Sequence, residues 1–296
     1  MTPAFTILYR GPLSSCNYGC GYCPFAKRSE THSQLQGDRE ALSRFVDWVK
    51  TQGDRGSNLS VLFTPWGEAL IRRWYQDAIG ALTSQTNVRK IAIQTNLSCS
   101  LDWLARCDLS KLGLWCTYHP AETPRQRFLD QCRKLDAAGA AYSVGIVGLK
   151  EHFDEIEAVR GLLPANIYLW VNAYKRIDAY YTDDELRRLS AVDVLFPVNN
   201  MRHASFGERC AAGESVFSVD GSGNIRRCHF IDHVIGNIYQ EDWQRCFRPR
   251  TCTNQTCGCH IGYVHMPKLG LEAIFGDGLL ERIPQRRNAP VTLPVV

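Results

Sequence analysis

The chain has 296 residues, 45% of them hydrophobic, with 34 basic against 30 acidic side chains for a net charge of +4. That length supports a full core, as one large domain or one with a small appendage. So mild a basic excess, with pairs Arg72-Arg73, Arg187-Arg188 and Arg286-Arg287 scattered along the chain, argues against a nucleic-acid footprint.

The first predicted strand is Phe5 to Tyr9, and the loop after it carries Cys16, Cys20 and Cys23 as C-x3-C-x2-C. Iron-sulfur clusters are normally held by four thiolates, and no fourth cysteine follows until Cys99. The triplet therefore reads as a metal site one protein ligand short, whose open iron can bind substrate. The competing reading is a structural zinc completed by His32, although zinc sites usually pair two CxxC-like hooks and the N-terminal region offers none. Residues 1–15 lack an export signal, and no apolar run approaches ~18 residues, so neither secretion nor a membrane span is expected. The thirteen cysteines are then expected in a reducing cytoplasm, where clustered thiols usually mean metal.

Further strands are predicted at Ser60 to Thr64, Lys90 to Thr95, Gly113 to Tyr118, Ala141 to Val147 and Ile167 to Ala173. Helical periodicity runs through Asp38 to Gln52, Glu68 to Ser84, Pro124 to Ala138 and Glu151 to Leu162, with a shorter stretch at Asp102 to Cys107. Such alternation implies a parallel sheet with right-handed crossovers. Six units suit an α/β partial (β/α)6 TIM-like barrel better than a closed one of eight, and ligands in such sheets sit outside the C-terminal strand ends.

After about residue 200 the pattern changes. Ser215 to Phe230 reads as two strands joined by Asp220-Gly221-Ser222-Gly223, a hairpin turn. Cys210, Cys228, Cys246, Cys252, Cys257 and Cys259 crowd into the same fifty residues, and Pro284 to Val296 has tail-like composition. The expected division is 1–199 for the barrel, 200–275 for a small β-hairpin, cysteine-rich domain and 276–296 for the tail.

Cys16, Cys20 and Cys23 after a first strand, followed by six βα units, resemble the radical S-adenosylmethionine enzymes. The resemblance covers most of the chain. It implies a 4Fe-4S cluster on the three cysteines, its fourth iron chelated by the methionine moiety of S-adenosylmethionine, with the backbone at Tyr22 against adenine. Thr64-Pro65-Trp66-Gly67-Glu68 is similar to the family's Gly-Gly-Glu motif, Trp66 replacing one glycine, and implies that Glu68 accepts from the methionine amino group. Read without the resemblance, Glu68 is a first-turn helix acid. Gln94-Thr95-Asn96 is similar to a Thr-Asn pair that contacts ribose or carboxylate, although strand-end turn chemistry accounts for it equally. Gly145-Ile146-Val147-Gly148 and Trp170-Val171-Asn172 resemble segments against adenine, where glycine or asparagine also simply marks a bulge or turn.

Cys210 and Cys228 around the hairpin, then Cys252-x4-Cys257-x-Cys259 and Gly236-Asn237-Ile238, resemble the SPASM and twitch extensions, which implies a second, auxiliary 4Fe-4S cluster. Five cysteines compete for its four positions, and a zinc site from Cys210, Cys228, Cys257 and Cys259 is the alternative. Cys246, Cys99, Cys107, Cys116 and Cys132 read as packed thiols.

The resemblance implies reductive cleavage of S-adenosylmethionine to a 5'-deoxyadenosyl radical that removes a substrate hydrogen in a biosynthetic oxidation or rearrangement, with electrons from a partner such as flavodoxin or ferredoxin. With the first strand starting by residue 5, no leader-binding domain is expected, which tilts the substrate toward a small metabolite. A peptide maturase, and a non-catalytic zinc or iron-sulfur sensor, are the alternatives. Tyr118, His119, Glu122, Asn172, Tyr174, Lys175 and Arg202 lie near predicted strand ends as candidate pocket residues, with His119 the candidate for proton transfer.

Overall fold

Six strands, β1 (Ala4–Arg10), β2 (Asn58–Phe63), β3 (Val88–Thr95), β4 (Leu112–Tyr118), β5 (Ala141–Val147) and β6 (Leu169–Asn172), pair in parallel and in chain order. This is a computed structural model describing residues 4–25 and 28–285. Arg286-Arg287 and the tail from residue 286 on lie outside the described residues. The strands are apolar on both faces, as parallel strands covered on both sides require. In β1, Ile7 and Tyr9 enter the core beneath the helices, while Leu8 faces a second cluster on the other side.

Helices α1 (His32–Asp54), α2 (Arg73–Thr83), α3 (Arg125–Ala138) and α4 (Phe153–Leu162) form the crossovers. α1 starts earlier than its periodicity predicts because Thr31 and Gln34 close a capping box. α3 ends at Gly139, whose φ of +70° is a left-handed cap. α5 (Asp183–Val192) was not expected, although its own capping box, Thr182 with Glu185, is visible in the sequence.

The remaining strands and α-helices are short: α6 (Phe196–Asn200), β7 (His203–Ala204), β8 (Arg209–Cys210), β9 (Val216–Asp220), β10 (Asn224–Arg226), β11 (Val234–Asn237), β12 (Arg250–Thr251), β13 (Thr256–Cys257), α7 (His260–Tyr263) and α8 (Leu271–Phe275). The predicted hairpin forms between β9 and β10, turning through Gly223 at φ +83°. It does not stand apart from the sheet. β9 pairs in parallel with β1, Leu8 opposite Ser218, so the nine-stranded order is β11-β10-β9-β1-β2-β3-β4-β5-β6. Without β9, β1 would present an edge of unpaired backbone groups.

One face of the sheet is filled by Leu8, Leu62, Ala92, Trp115, Trp170 and Val216, with Ile261 and Leu280 packed onto them. Residues 276–285 enter here. A Cβ on Gly113 would lie 2.5 Å from the Glu281 side chain, and Lys90 Nζ donates to Glu281 at 2.7 Å. A groove of about 1030 Å3 lies at the N-terminal strand ends, lined by Phe5, Asn58, Lys90 and Leu271 among others, on the opposite side from the N-terminal cysteine loop.

Candidate metal and cofactor site

The cysteine loop leaves the C-terminal end of β1 and is clamped by two carboxylates. Asp38, fully buried on α1, accepts the Leu13 N–H at 3.1 Å, the Trp74 indole N–H at 2.8 Å and the Tyr75 hydroxyl at 3.1 Å. Glu30 accepts the N–H groups of Ser14 at 2.8 Å and Ser15 at 3.1 Å. Acceptors for loop N–H groups fix a segment that has no sheet partner. Neither carboxylate was expected as a site residue, since an acid in a loop or an early helical turn carries no distinguishing pattern.

Within the loop, Cys16 Sγ accepts the Tyr18 N–H and Cys23 Sγ the Phe25 N–H, each at 3.4 Å. Backbone donors to sulfur are among the means by which a protein sets a cluster's potential. Cys20 Sγ lies 3.4 Å from His119 Nδ1, which also meets the Tyr22 hydroxyl at 2.6 Å. Burial pushes the Cys20 thiol up to about 11 and the His119 imidazole down to about 4. His119 is therefore neutral and tied to the cysteine loop. Tyr22 is stacked on it, ring centroids 5.9 Å apart.

The loop crosses Gly67-Glu68. The Glu68 N–H donates to Ser15 O at 3.1 Å, and a Cβ on Gly67 would lie 1.7 Å from that oxygen, so only glycine fits. α2 begins at Arg73, so Glu68 is no first-turn acid. Its carboxylate, 3% exposed, accepts the Leu70 N–H at 3.0 Å, the Thr95 hydroxyl at 2.9 Å and the Asn96 N–H at 2.5 Å. Burial raises its carboxyl to about 7. Asn96 Nδ2 reaches Asn17 of the cysteine loop at 3.0 Å. Thr95 and Asn96 thus hold Glu68 and the loop together.

Trp66, standing where the resemblance has glycine, packs against Phe25 and lies 4.1 Å beneath the Arg10 guanidinium, whose Nε donates to Thr64 O at 2.8 Å. Farther along the sheet, Val147 and Asn172 are paired at the ends of β5 and β6. Asn172 is exposed, and its carbonyl accepts the Gly148 N–H at 2.9 Å. Gly145 lies deeper, and the Trp170 indole covers it: a Cβ there would meet that ring at 2.1 Å. Its glycine character is accounted for by that indole.

The second cysteine set divides. Cys210 lies within electrostatic reach of Cys252, Cys228 of Cys210 and Cys252, and Cys257 of Cys228 and Cys210. Short β-pairs bring them there: Cys210 opposite Arg250 and Cys257 opposite His203, while the Cys252 N–H bonds Glu208 O at 2.8 Å. Cys259 is within reach of Cys257, but its charged neighbours are Lys175, Arg282 and Arg10. Lys175 donates to the carbonyls of Gly258 and Asn199, and Arg202 to Lys175 O at 2.6 Å. Tyr118 instead turns to Glu155, and Tyr174 packs on Tyr180.

Among the described residues no three His, Cys, Asp or Glu side chains converge on a point suited to a single metal ion. The donor chemistry fits a cluster: three thiols on one loop, two of them accepting backbone N–H groups. Glu68 fits an ammonium. A carboxylate offers about four lone-pair positions; three are taken, and no cation pairs with it among the described residues.

No family model matches the chain, and no curated protein matches it. Solved structures of anSMEcpe share its fold. One with bound AdoMet aligns at a TM-score of 0.54 and 12% identity, covering 83% of this chain and 79% of that one. Another, with bound AdoMet and Kp18Cys peptide, aligns at 0.55 and 12% identity, covering 82% and 80%. BtrN in complex with AdoMet and 2-DOIA, at a TM-score of 0.37 and 18% identity over 80% of each chain, is too distant to carry weight.

Proposed function

We propose that the chain is a radical S-adenosylmethionine enzyme acting on a small metabolite. The observation that carries this reading is the seating of the Cys16, Cys20 and Cys23 loop directly on Gly67-Glu68, in a fold shared with AdoMet-bound anSMEcpe. Cys16, Cys20 and Cys23 hold the 4Fe-4S cluster, and Glu68 takes the methionine ammonium at its remaining lone-pair position. When bound and reduced, cluster and S-adenosylmethionine together supply a 5'-deoxyadenosyl radical that takes a hydrogen atom from the substrate.

The chain's own residues position and shield. Thr95 and the Asn96 N–H orient the Glu68 carboxylate, while Glu30 and Asp38 hold the loop. Tyr22, Val147 and Asn172 line the strand ends where adenine would lie. Gly145, covered by Trp170, is left out of that surface. His119 serves as a buried neutral support for Cys20 and Tyr22 rather than as a proton carrier.

We assign the second 4Fe-4S cluster to Cys210, Cys228, Cys252 and Cys257, in a cysteine-rich region over residues 200–275 that shares the sheet of the partial barrel of residues 1–199 through β9 to β11; residues 276–285, expected as the start of the tail, pack against that sheet. An open barrel is supported by Cys259, which Arg10 on β1 and Lys175 just beyond β6 both flank. Five strand spacings of about 4.8 Å separate β1 from β6 along the sheet, so a flat sheet would hold them apart. The electron donor is of the flavodoxin or ferredoxin class, and the expected compartment is the cytoplasm. No helix among the described residues is long and apolar enough to cross a membrane. The peptide in the anSMEcpe complex keeps peptide modification as the second reading.

Anaerobically reconstituted protein tests the proposal. It is expected to hold about eight irons with matching sulfide, as two 4Fe-4S clusters require, and to form 5'-deoxyadenosine under reduction. Stoichiometric zinc without iron overturns it.

A further inference from the structure

The N-terminal cysteine loop and the end of β4 meet at one side chain. His119 directly follows Tyr118, the last residue of β4, and its carbonyl accepts the N–H groups of Glu122 at 3.0 Å and Thr123 at 3.2 Å, which fixes the turn that carries it. The loop frames its ring on two sides: Tyr22 stacks on it with an interplanar angle of 16°, and Tyr18 meets it edge-on with ring centroids 5.8 Å apart. Behind Tyr22 stands His152, ring centroids 5.8 Å away, which donates from Nδ1 to Val147 O at 3.1 Å. Packing of this kind locks a rotamer, so the fold itself sets where the His119 nitrogens point.

Both polar contacts of that imidazole run through Nδ1, 3.4 Å from Cys20 Sγ and 2.6 Å from the Tyr22 hydroxyl, while Nε2 has no hydrogen-bond partner among the described residues. The two tautomers differ in what they offer the sulfur. A thiolate bound to iron carries no proton and only accepts. With the imidazole proton on Nε2, the bare Nδ1 takes the phenol proton, and a nitrogen lone pair then faces the sulfur with nothing between them. With the proton on Nδ1, the N–H lies between two acceptors, the sulfur and the phenol oxygen. Cys20 is buried, and in a low local dielectric the first arrangement is costly and the second is strengthened. The other two thiols of the loop already receive backbone donors, Cys16 from Tyr18 and Cys23 from Phe25. His119 completes the set.

We propose that His119 donates its Nδ1–H to the Cys20 sulfur and thereby raises the reduction potential of the N-terminal cluster, easing the electron transfer that starts the reaction. The inference rests on the radical S-adenosylmethionine reading above. Reduction adds one negative charge to the cluster, so a donor aimed at one of its sulfurs stabilises the reduced form more than the oxidised one. His119 is thus a positioning residue that acts on the cluster through Cys20, and the Tyr22 hydroxyl keeps its own proton.

The test is a potentiometric titration of reconstituted holoprotein, followed by electron paramagnetic resonance in the absence of S-adenosylmethionine. The N-terminal cluster is identified as the one whose signal changes when S-adenosylmethionine is then added. His119→Phe keeps a ring against Tyr22 and removes the N–H. It is expected to hold the wild-type iron content and to shift the midpoint of that cluster to more negative potential. His119→Asn returns an amide N–H close to the Nδ1 position and is expected to recover most of the shift. Tyr22→Phe, which removes the phenol proton, is expected to give no negative shift. An unchanged midpoint in His119→Phe, a negative shift in Tyr22→Phe, or loss of iron from both His119 variants overturns the assignment and leaves the enzyme reading standing. If no cluster signal of the wild type responds to S-adenosylmethionine, the enzyme reading itself is overturned.

Discussion

His229 Nε2 lies 2.8 Å from Thr64 Oγ1, a hydrogen bond that joins the two cysteine groups across the sheet. His229 follows Cys228 directly, and Thr64 leads into the Trp66-Gly67-Glu68 turn on which the N-terminal cysteine loop rests. Thr64 is fully buried and also donates to Tyr9 O at 3.2 Å. Burial drives the His229 imidazole well below its usual range, so it is neutral, and the shared proton sits on one side of a neutral pair.

Thr64→Val removes this link while keeping the β-branched shape. Leaving His229 buried without its partner costs about 1–3 kcal/mol. Chemical denaturation of the reconstituted protein should show that loss, and an unchanged midpoint would mean that the bond contributes nothing.

The Glu68 carboxyl, held up at about 7 by burial, has an ordinary value of 4.5. Between those pH values the folded protein keeps a proton that the unfolded chain has released, so stability falls as pH rises. The slope from this one group is about 1.4 kcal/mol per pH unit. In protein prepared without cofactor, Glu68→Gln is expected to flatten the stability profile over that window. The same variant should bind S-adenosylmethionine at least about tenfold more weakly, the equivalent of ~1.4 kcal/mol, by equilibrium dialysis of reconstituted protein.

Gly67→Ala places a methyl 1.7 Å from Ser15 O, a backbone atom that has no room to retreat. Overpacking of this kind costs about 3 kcal/mol. Because the clash falls on the residue before Cys16, iron bound at the N-terminal site should drop with stability, while Gly37→Ala, exposed within α1 and with nothing within 4 Å of its Cβ, should leave the iron unchanged and raise stability by about 0.5–1 kcal/mol.

The Lys90 and Glu281 pair, 20% and 3% exposed, fastens the segment after residue 276 to β3. Glu281→Ala removes a charge-assisted bond and empties the space above Gly113, a loss of about 2 kcal/mol. Thermal unfolding of this variant and of Lys90→Ala should show similar losses, and their combination should cost less than the sum, since each single change already breaks the pair.

The alternation of strands and helices was legible because each unit's apolar period is local: all six strands stand where the sequence put them, within a few residues. The C-x3-C-x2-C spacing was legible for the same reason, three thiols on one loop needing no distant partner to be seen together. The attachment of β9 to β1 was not, because strand pairing between residues more than two hundred positions apart leaves no mark on either segment. Nor was the covering of Gly145, which the sequence offered as an open backbone and the Trp170 ring fills.

The sequence by itself determined the chemistry on offer: nine of thirteen thiols in two groups, an acid after a glycine, a parallel α/β scaffold. Only the tertiary structure decided where those thiols lie. Cys228 lies within reach of Cys210 and Cys252, and Cys257 within reach of Cys228 and Cys210, while Cys259, two residues beyond and within reach of Cys257, has Arg10, Lys175 and Arg282 as its charged neighbours. The reason is geometric. Cys259 is extended backbone like Cys257, and its surroundings differ because the Lys175 ammonium holds the Gly258 carbonyl and the helical turn that starts at His260 carries the following residues into the buried interior.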